Sequence, residues 1–362
     1  MQITVYGMHG PRKLAREGLR TRDAHLAQTL QRSGHQVTYV GRPEPLGLHR
    51  YPADALPFPS TAPAVARLPR LRERRRWWVD TADRTPPWSP DDVVLAQNFL
   101  GAAALVRRLG PPRVLALDLL DDWQEHTAYA CIQPEVERAY ATVMGAAAVV
   151  IANGTGTAER ARSHGRSDVH LVGNGVDPAL FATTRAAVLA RDRSPRVVGY
   201  VGKISERFDV ATAVRAAVGL PDVEFVFVGP VMLPRGALDE LRACDNVTLQ
   251  PDLHYDRVPA VMATFGVAWV PHRTDGHGRL GGDLLKVYEY RAAGLRVVMP
   301  PLADSLSDLE GVERVDPADL LPALERALDA APEPAPVPHE ATWRAKADQV
   351  AHLLEGAGLQ RC

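Results

Sequence analysis

Cysteine is scarce in this chain of 362 residues: Cys131, Cys244 and Cys362 are all it has. They stand far apart, with no CxxC or Cys/His ligand spacing, which argues against both a disulfide framework and a structural zinc site. Long apolar runs are also missing, since nothing approaches the roughly 18 residues needed to span a bilayer. The opening MQITVYGM reads as a buried strand and not as a basic region followed by an apolar stretch, so no signal peptide is expected. Net charge is close to nil at −1, so no global field favours nucleic acid or an anionic membrane. A cytoplasmic protein without a nucleic-acid partner is the expectation. Lysine is scarcer still: of 42 basic residues only Lys13, Lys203, Lys286 and Lys346 are lysine. In a composition so biased to arginine, a lysine that persists is a candidate for a role.

What is present is globular. Hydrophobic residues make up 46% and charged residues 23%, and the length suits two domains at roughly 150 residues each. Short β-branched runs alternate with helical patterns, the sign of βα units and a parallel sheet. Strands are expected at Ile3–Tyr6, Gln36–Val40, Val93–Ala96, Val114–Leu117, Ala148–Ile151 and Val169–Val172, with a helix from Thr21 to about Ser33. The stretch from Pro43 to Pro90 reads poorly as anything regular. The pattern then restarts, with strands at Val197–Val201, Val223–Val228, Val247–Gln250, Val267–Val270 and Arg296–Met299. This restart implies two similar α/β halves, 1–185 and 186–337, with Pro332–Pro338 as a stiff linker. In 338–362, Trp343, Ala347, Val350, Leu354 and Ala357 share one helical face, which is expected to pack back on the first half.

Three places carry candidate chemistry. Gly202-Lys203-Ile204-Ser205-Glu206-Arg207 lies between a strand and a helix. Backbone N–H groups and a helix N-terminus favour an anion there, and Lys203 and Arg207 would add full charge toward a diphosphate. The segment from Asp283 to Gly294 reads as a helix with Asp283, Lys286 and Glu289 on one polar face. The run before it, from His277 through Gly281 and Gly282, would let backbone approach a ligand closely. Glu289 accepts only, which suits two adjacent ribose hydroxyls. In the first half, Asp121-Asp122-Trp123 follows a strand, where a carboxylate would orient an acceptor hydroxyl or act as base. His9 follows the first strand. Each has a plainer reading, as solvated cations, a helix cap or a loop histidine. The basic cluster Arg67–Trp78 would allow weak contact with an anionic membrane surface, although a solvated amphipathic helix explains it as well.

GYVGKISERFD, VEFVFVGP and LLKVYEYRAAGLRVV, in this order, resemble the C-terminal domain of GT-B glycosyltransferases, above all the retaining family 4 and its relatives. HLAQTLQRSGHQVTYV, VLALDLLDDW and VHLVGNGVDPALF resemble stretches of that family's first half. The likeness covers most of the chain except about 43–90. It implies two Rossmann-like domains facing a cleft and a nucleotide-diphosphate-sugar donor; cations beside the diphosphate would remove any need for a metal, and the second half has no DxD-like metal pair. It places the ribose-binding glutamate at Glu289, while the family's other glutamate falls on Gly281. The family's loop arginine falls on Lys203, and its partner lysine on Phe208, with Arg207 adjacent.

The expectation is therefore a glycosyltransferase with no cofactor beyond its cosubstrate. Gly202, Lys203, Arg207, Gly281, Gly282, Asp283, Lys286 and Glu289 would bind the donor. Lys203 and Arg207 would stabilise the leaving diphosphate, and Asp121 would assist the acceptor. His9, Asp121, Asp122 and Trp123 would bind a small-molecule, natural-product-like acceptor or a cell-envelope glycan. The likeness implies retention, with inversion on Asp121 as the other course. A sugar-nucleotide epimerase of the same fold, or an inactive sugar-nucleotide-binding protein, are the rival readings.

Overall fold

The computed structural model describes residues 1–43, 50–52, 76–125, 127–276, 281–302, 306, 308–332 and 336–359. The chain divides into two compact units. One comprises Met1–Asn174, Leu280–Asp283 and Trp343–Cys362, and the other Gly175–Arg279 and Leu284–Thr342.

The first unit is built on a seven-stranded sheet. Its strands are β1 (Gln2–Tyr6), β2 (Gln36–Val40), β3 (Arg50–Pro52), β4 (Val93–Ala96), β5 (Val114–Leu119), β6 (Val149–Ala152) and β7 (Val169–Leu171), in the order β3-β2-β1-β4-β5-β6-β7. All pair in parallel except β3, which runs antiparallel to β2. Strands β4 and β6 are unbroken apolar runs because helices cover both faces of such a sheet. Val93–Ala96 and Val149–Ala152 are buried throughout. Strand β3 and the short helix Arg76–Asp80 fall in the Pro- and Arg-rich stretch expected to lack regular structure, and this part of that reading is corrected. Pairing to β2 makes a strand of a segment whose own sequence does not announce one.

The second unit repeats the plan with six parallel strands. These are β8 (Val197–Val201), β9 (Glu224–Val228), β10 (Val247–Gln250), β11 (Val267–Trp269), β12 (Arg296–Met299) and β13 (Val312–Arg314), in the order β10-β9-β8-β11-β12-β13. Aromatic side chains dominate one of its core clusters: Tyr200, Phe208, Phe225, Phe227 and Trp269 pack together, with Phe208 and Phe227 edge to face at 5.2 Å. Strand β13 was not foreseen from the sequence. Its three residues are half-buried to exposed, so no apolar run marks it.

The last helix, Trp343–Leu359, belongs to the first unit. The five residues of its apolar face, Trp343, Ala347, Val350, Leu354 and Ala357, are all buried. It lies against the helix Arg22–Arg32 and strands β5 and β6. Trp343 stacks on His25 with ring centroids 5.0 Å apart. Among the described residues no helix is long and apolar enough to cross a membrane.

Candidate functional site

In an open α/β sheet, ligands bind beyond the strand carboxyl ends where the strand order reverses. In the second sheet that point lies between β8 and β11. Gly202 and Lys203 follow β8, and Pro271 and His272 follow β11. The Tyr200 hydroxyl, on β8, donates to the Lys203 carbonyl at 2.9 Å and lies 3.4 Å from His272 Nε2. Lys286 stands in the first turn of the helix Leu285–Ala292, and its ammonium sits over the Tyr200 ring, 5.3 Å from the centroid. Gly202 makes this approach possible. A Cβ there would lie 2.8 Å from the Tyr200 hydroxyl and 3.0 Å from Lys286 Cε.

The charges here repel one another. Burial, then Arg207 and Lys203, push the Lys286 ammonium down to about 7, with Glu289 working against them. Burial, then Lys286 and Arg207, hold the His272 imidazole well below its usual range, so it is neutral. Lys203 is exposed and Arg207 partly so. A protein that brings two cations to a half-buried lysine has built a place for an anion, because only an anion turns that repulsion into attraction. Glu289, one turn along the same helix, is 7% exposed and accepts a 2.6 Å hydrogen bond from the Tyr255 hydroxyl. Its neighbour Tyr290 accepts from the Val201 amide at 2.8 Å, which ties the helix to the end of β8.

Two expectations about this region need correction. The helix after the Gly202 loop, Val210–Gly219, is capped by Asp209, whose carboxylate accepts from the Thr212 amide at 2.9 Å. Its N-terminus is already occupied by the protein's own anion. The helix carrying Lys286 has no side-chain cap at Leu284 and no acidic residue in its first turn, so the anion-favouring terminus belongs to it instead. That helix also starts later than expected, at Leu285. Asn174 holds Asp283 back from it: the Asn174 amide donates to Asp283 Oδ2 at 3.0 Å, and Asn174 Nδ2 donates to the Asp283 carbonyl at 2.8 Å.

Gly281, Gly282 and Asp283 belong to the first unit, and Lys203, Arg207, Lys286 and Glu289 to the second. The Gly281 carbonyl accepts from the Thr157 amide at 3.0 Å, with φ at +68°. A Cβ on Gly282 would come within 2.6 Å of the Leu120 carbonyl oxygen. Close packing against neighbouring backbone thus accounts for this glycine pair. His277–Leu280, the start of the expected glycine-rich run, lies outside the described residues.

In the first unit the sheet order reverses between β1 and β4. His9 follows β1, and its Nδ1 lies 2.9 Å and 3.0 Å from the two oxygens of Asp23, which is fully buried. Asp23 also lies 2.8 Å from the Tyr39 hydroxyl. Burial alone would raise the Asp23 carboxyl, but the His9 charge and the hydrogen bonds from His9 and Tyr39 overcome it and hold the group well below the usual carboxylate range. A second buried ion pair joins Arg22 to Asp118 at 3.0 Å, with Gln97 Nε2 donating to Asp118 at 2.7 Å. The partners Asp23, Tyr39 and Arg22 were missed in the sequence. A carboxylate fourteen positions from its histidine, inside a helix, leaves no local signal.

Asp121 is partly exposed after β5 and keeps its place among acceptor-side candidates. Asp122 and Trp123 do not. Asp122 is 5% exposed and paired with Arg160 at 2.9 Å. Trp123 is enclosed by aromatic rings, stacked on Tyr129 at 3.9 Å and edge to face with Phe99 at 5.0 Å. An ion pair and a core contact explain both. Trp78 packs at 5.0 Å from Trp123, which takes it out of the expected membrane-facing cluster; residues 67–75 of that cluster lie outside the described residues. Among the described residues no group of three or more His, Cys, Asp or Glu could hold a metal ion.

The fold has known counterparts among solved structures. A lipopolysaccharide outer core galactosyltransferase, WaaB, superposes with a TM-score of 0.57 over 100% of both chains at 13% identity. AviGT4, a glycosyltransferase involved in avilamycin A biosynthesis, gives 0.57 over 99% of this chain and 98% of its own at 15% identity. The fold is GT-B. Within this GT-B chain, residues 17–180 match the model of Glycosyltransferase Family 4. In sequence, the chain is 30% identical over 174 residues to the "Putative teichuronic acid biosynthesis glycosyltransferase TuaH" of Bacillus subtilis (strain 168). That match spans 45% of this chain and 43% of the relative.

Proposed function

We infer that this protein is a glycosyltransferase that takes a sugar from a nucleoside-diphosphate donor bound on the second unit. The observation that carries the reading is the convergence of Lys203, Arg207 and Lys286 around an uncapped helix terminus, with Glu289 one turn further on. A diphosphate would neutralise the three cations, and the ribose hydroxyls would donate to Glu289. As the glycosidic bond breaks, negative charge grows on the leaving diphosphate. Preorganised cations then stabilise the transition state more than the ground state, which is what accelerates the step. In this reading side chains do the charge neutralisation, with no metal.

His9, steadied by Asp23, and Asp121 are the acceptor-side residues. The acceptor we propose is a cell-envelope glycan, in line with the similarity to a teichuronic acid biosynthesis enzyme. Retention of the anomeric configuration is the proposed outcome, in line with the family resemblance.

A thermal-shift screen against UDP, GDP, dTDP and their sugars tests the donor assignment. A ligand at about 100 times its Kd stabilises the fold by about 2.7 kcal/mol. One nucleotide class should raise Tm with concentration, and Lys203→Ala should weaken the effect. No shift with any of them at millimolar concentration would end the reading.

A further inference from the structure

We propose that Tyr255 is a positioning residue for the donor ribose, holding Glu289 in the rotamer that receives the two hydroxyls; this rests on the donor reading above. Tyr255 opens the single turn Tyr255–Arg257 that follows β10, and Glu289 sits on the helix Leu285–Ala292. The two side chains therefore come from different elements, 34 positions apart, and meet at 2.6 Å. Both are buried, at 7% exposure each. A carboxylate can only accept, so the Tyr255 hydroxyl is the donor.

A glutamate has three rotatable bonds, and the one that receives a ribose must have them fixed at some stage. If the protein fixes them before the ligand arrives, the ordering is not charged to the binding step, and affinity rises without any new contact to ligand. A short hydrogen bond between a buried phenol and a buried carboxylate does that, because a bond to an ionised group is about twice as strong as a neutral one. One donor does not saturate the group. A carboxylate offers about four lone-pair sites, and Tyr255 takes one. The phenol ring itself packs in the core beside Val258 and Met262, so Tyr255→Phe removes the donor and leaves the packing in place.

The test compares the wild type, Tyr255→Phe and Glu289→Gln by calorimetry. The probes are UDP, GDP, CDP and ADP, and then the 2′,3′-dideoxy form of whichever binds most tightly. Tyr255→Phe should bind the ribonucleotide about 10-fold more weakly, which is about 1.4 kcal/mol, yet bind the dideoxy form as the wild type does. Glu289→Gln should show the same selectivity with a larger loss. Undiminished ribonucleotide binding by Tyr255→Phe, beside a clear loss in Glu289→Gln, would overturn the positioning role and leave the ribose role of Glu289 standing. An equal loss for both probes in Tyr255→Phe would mean general damage to the fold, and would overturn it too. Wild-type protein that binds ribo- and dideoxy forms alike, or binds none of the four, would instead refute the ribose reading on which the proposal stands.

Discussion

Lys286 should couple donor binding to proton uptake. In the free protein its ammonium is pushed from 10.5 down to about 7 by burial and by Arg207 and Lys203. At pH 8 roughly a tenth of the molecules then carry the charge. A diphosphate beside it reverses the sign of the local field and returns the pKa toward its ordinary value, so binding at pH 8 should take up close to one proton. At pH 6 the lysine is already charged and uptake should be small. Affinity follows by linkage. Each unit of pH above about 7 should weaken nucleoside-diphosphate binding up to about tenfold, or about 1.4 kcal/mol, until the bound-state pKa is reached. The ligand's own terminal phosphate ionises near pH 6, below this window. Calorimetry in buffers of different ionisation enthalpy measures the protons directly. Lys286→Met keeps the stem over Tyr200 and removes the charge, so it should flatten the pH dependence and abolish the uptake. It should also stabilise the free fold. A depressed lysine pKa opposes folding in full below about pH 7, and the opposition fades as pH rises toward 10.5. The gain at neutral pH is on the order of 2–4 kcal/mol, since the side chain is only partly withdrawn from solvent. Equal affinity at pH 7 and pH 9, or an unaltered profile in Lys286→Met, would refute this account of the cation cluster.

Glu289→Gln keeps the size of the side chain but loses charge-assisted acceptance, so calorimetry should show donor affinity reduced by about 1.5–3 kcal/mol. Asp121→Asn should depress turnover with the true acceptor while leaving nucleoside-diphosphate affinity alone; steady-state rates measured beside a binding curve separate the two. Gly282→Ala places a Cβ against the Leu120 carbonyl. Backbone there cannot give way cheaply, so urea unfolding should show a loss of about 2 kcal/mol or more. Asp23 has a folded-state pKa below its unfolded value. Its contribution is thus present above about pH 4 and lost as pH falls further, and Asp23→Asn should shrink the difference in urea midpoint between pH 5 and pH 3.

The fold was legible because its signal is repeated. Strands such as Val93–Ala96 and Val149–Ala152 are apolar along their whole length, and the restart of the pattern after residue 190 marks the second sheet. The strands β3 and β13 carried no such run and owe their form to pairing. In the second unit the charged residues singled out in the sequence, Lys203, Arg207 and Glu289, do act on Lys286; the donor they would hold is the proposal above. For Asp283 and the glycine pair 281–282 the sequence could not show the chain packing they also serve, because the same residue types suit ligands and tight backbone contacts. Asp122 and Trp123 misled because a sequence shows an acid and an aromatic, not the arginine or ring that will cover them. The partners that tune the site, Tyr255, Tyr200, His272 and Asp23, are set by distant segments meeting in space, and no local spacing encodes that.

As the transferase proposed above, this GT-B chain should break the glycosidic bond to a nucleoside diphosphate. Its most direct test is release of free nucleoside diphosphate from UDP-, GDP- and dTDP-sugars, with and without cell-envelope glycan fragments. One donor should be consumed, slowly by leakage to water and faster with acceptor, with a new glycoside seen by mass spectrometry, and Lys203→Ala should lower the rate more than the donor affinity. Conversion of the donor to an isomer with no nucleoside diphosphate released, or no consumption of any donor by folded protein, would contradict the account.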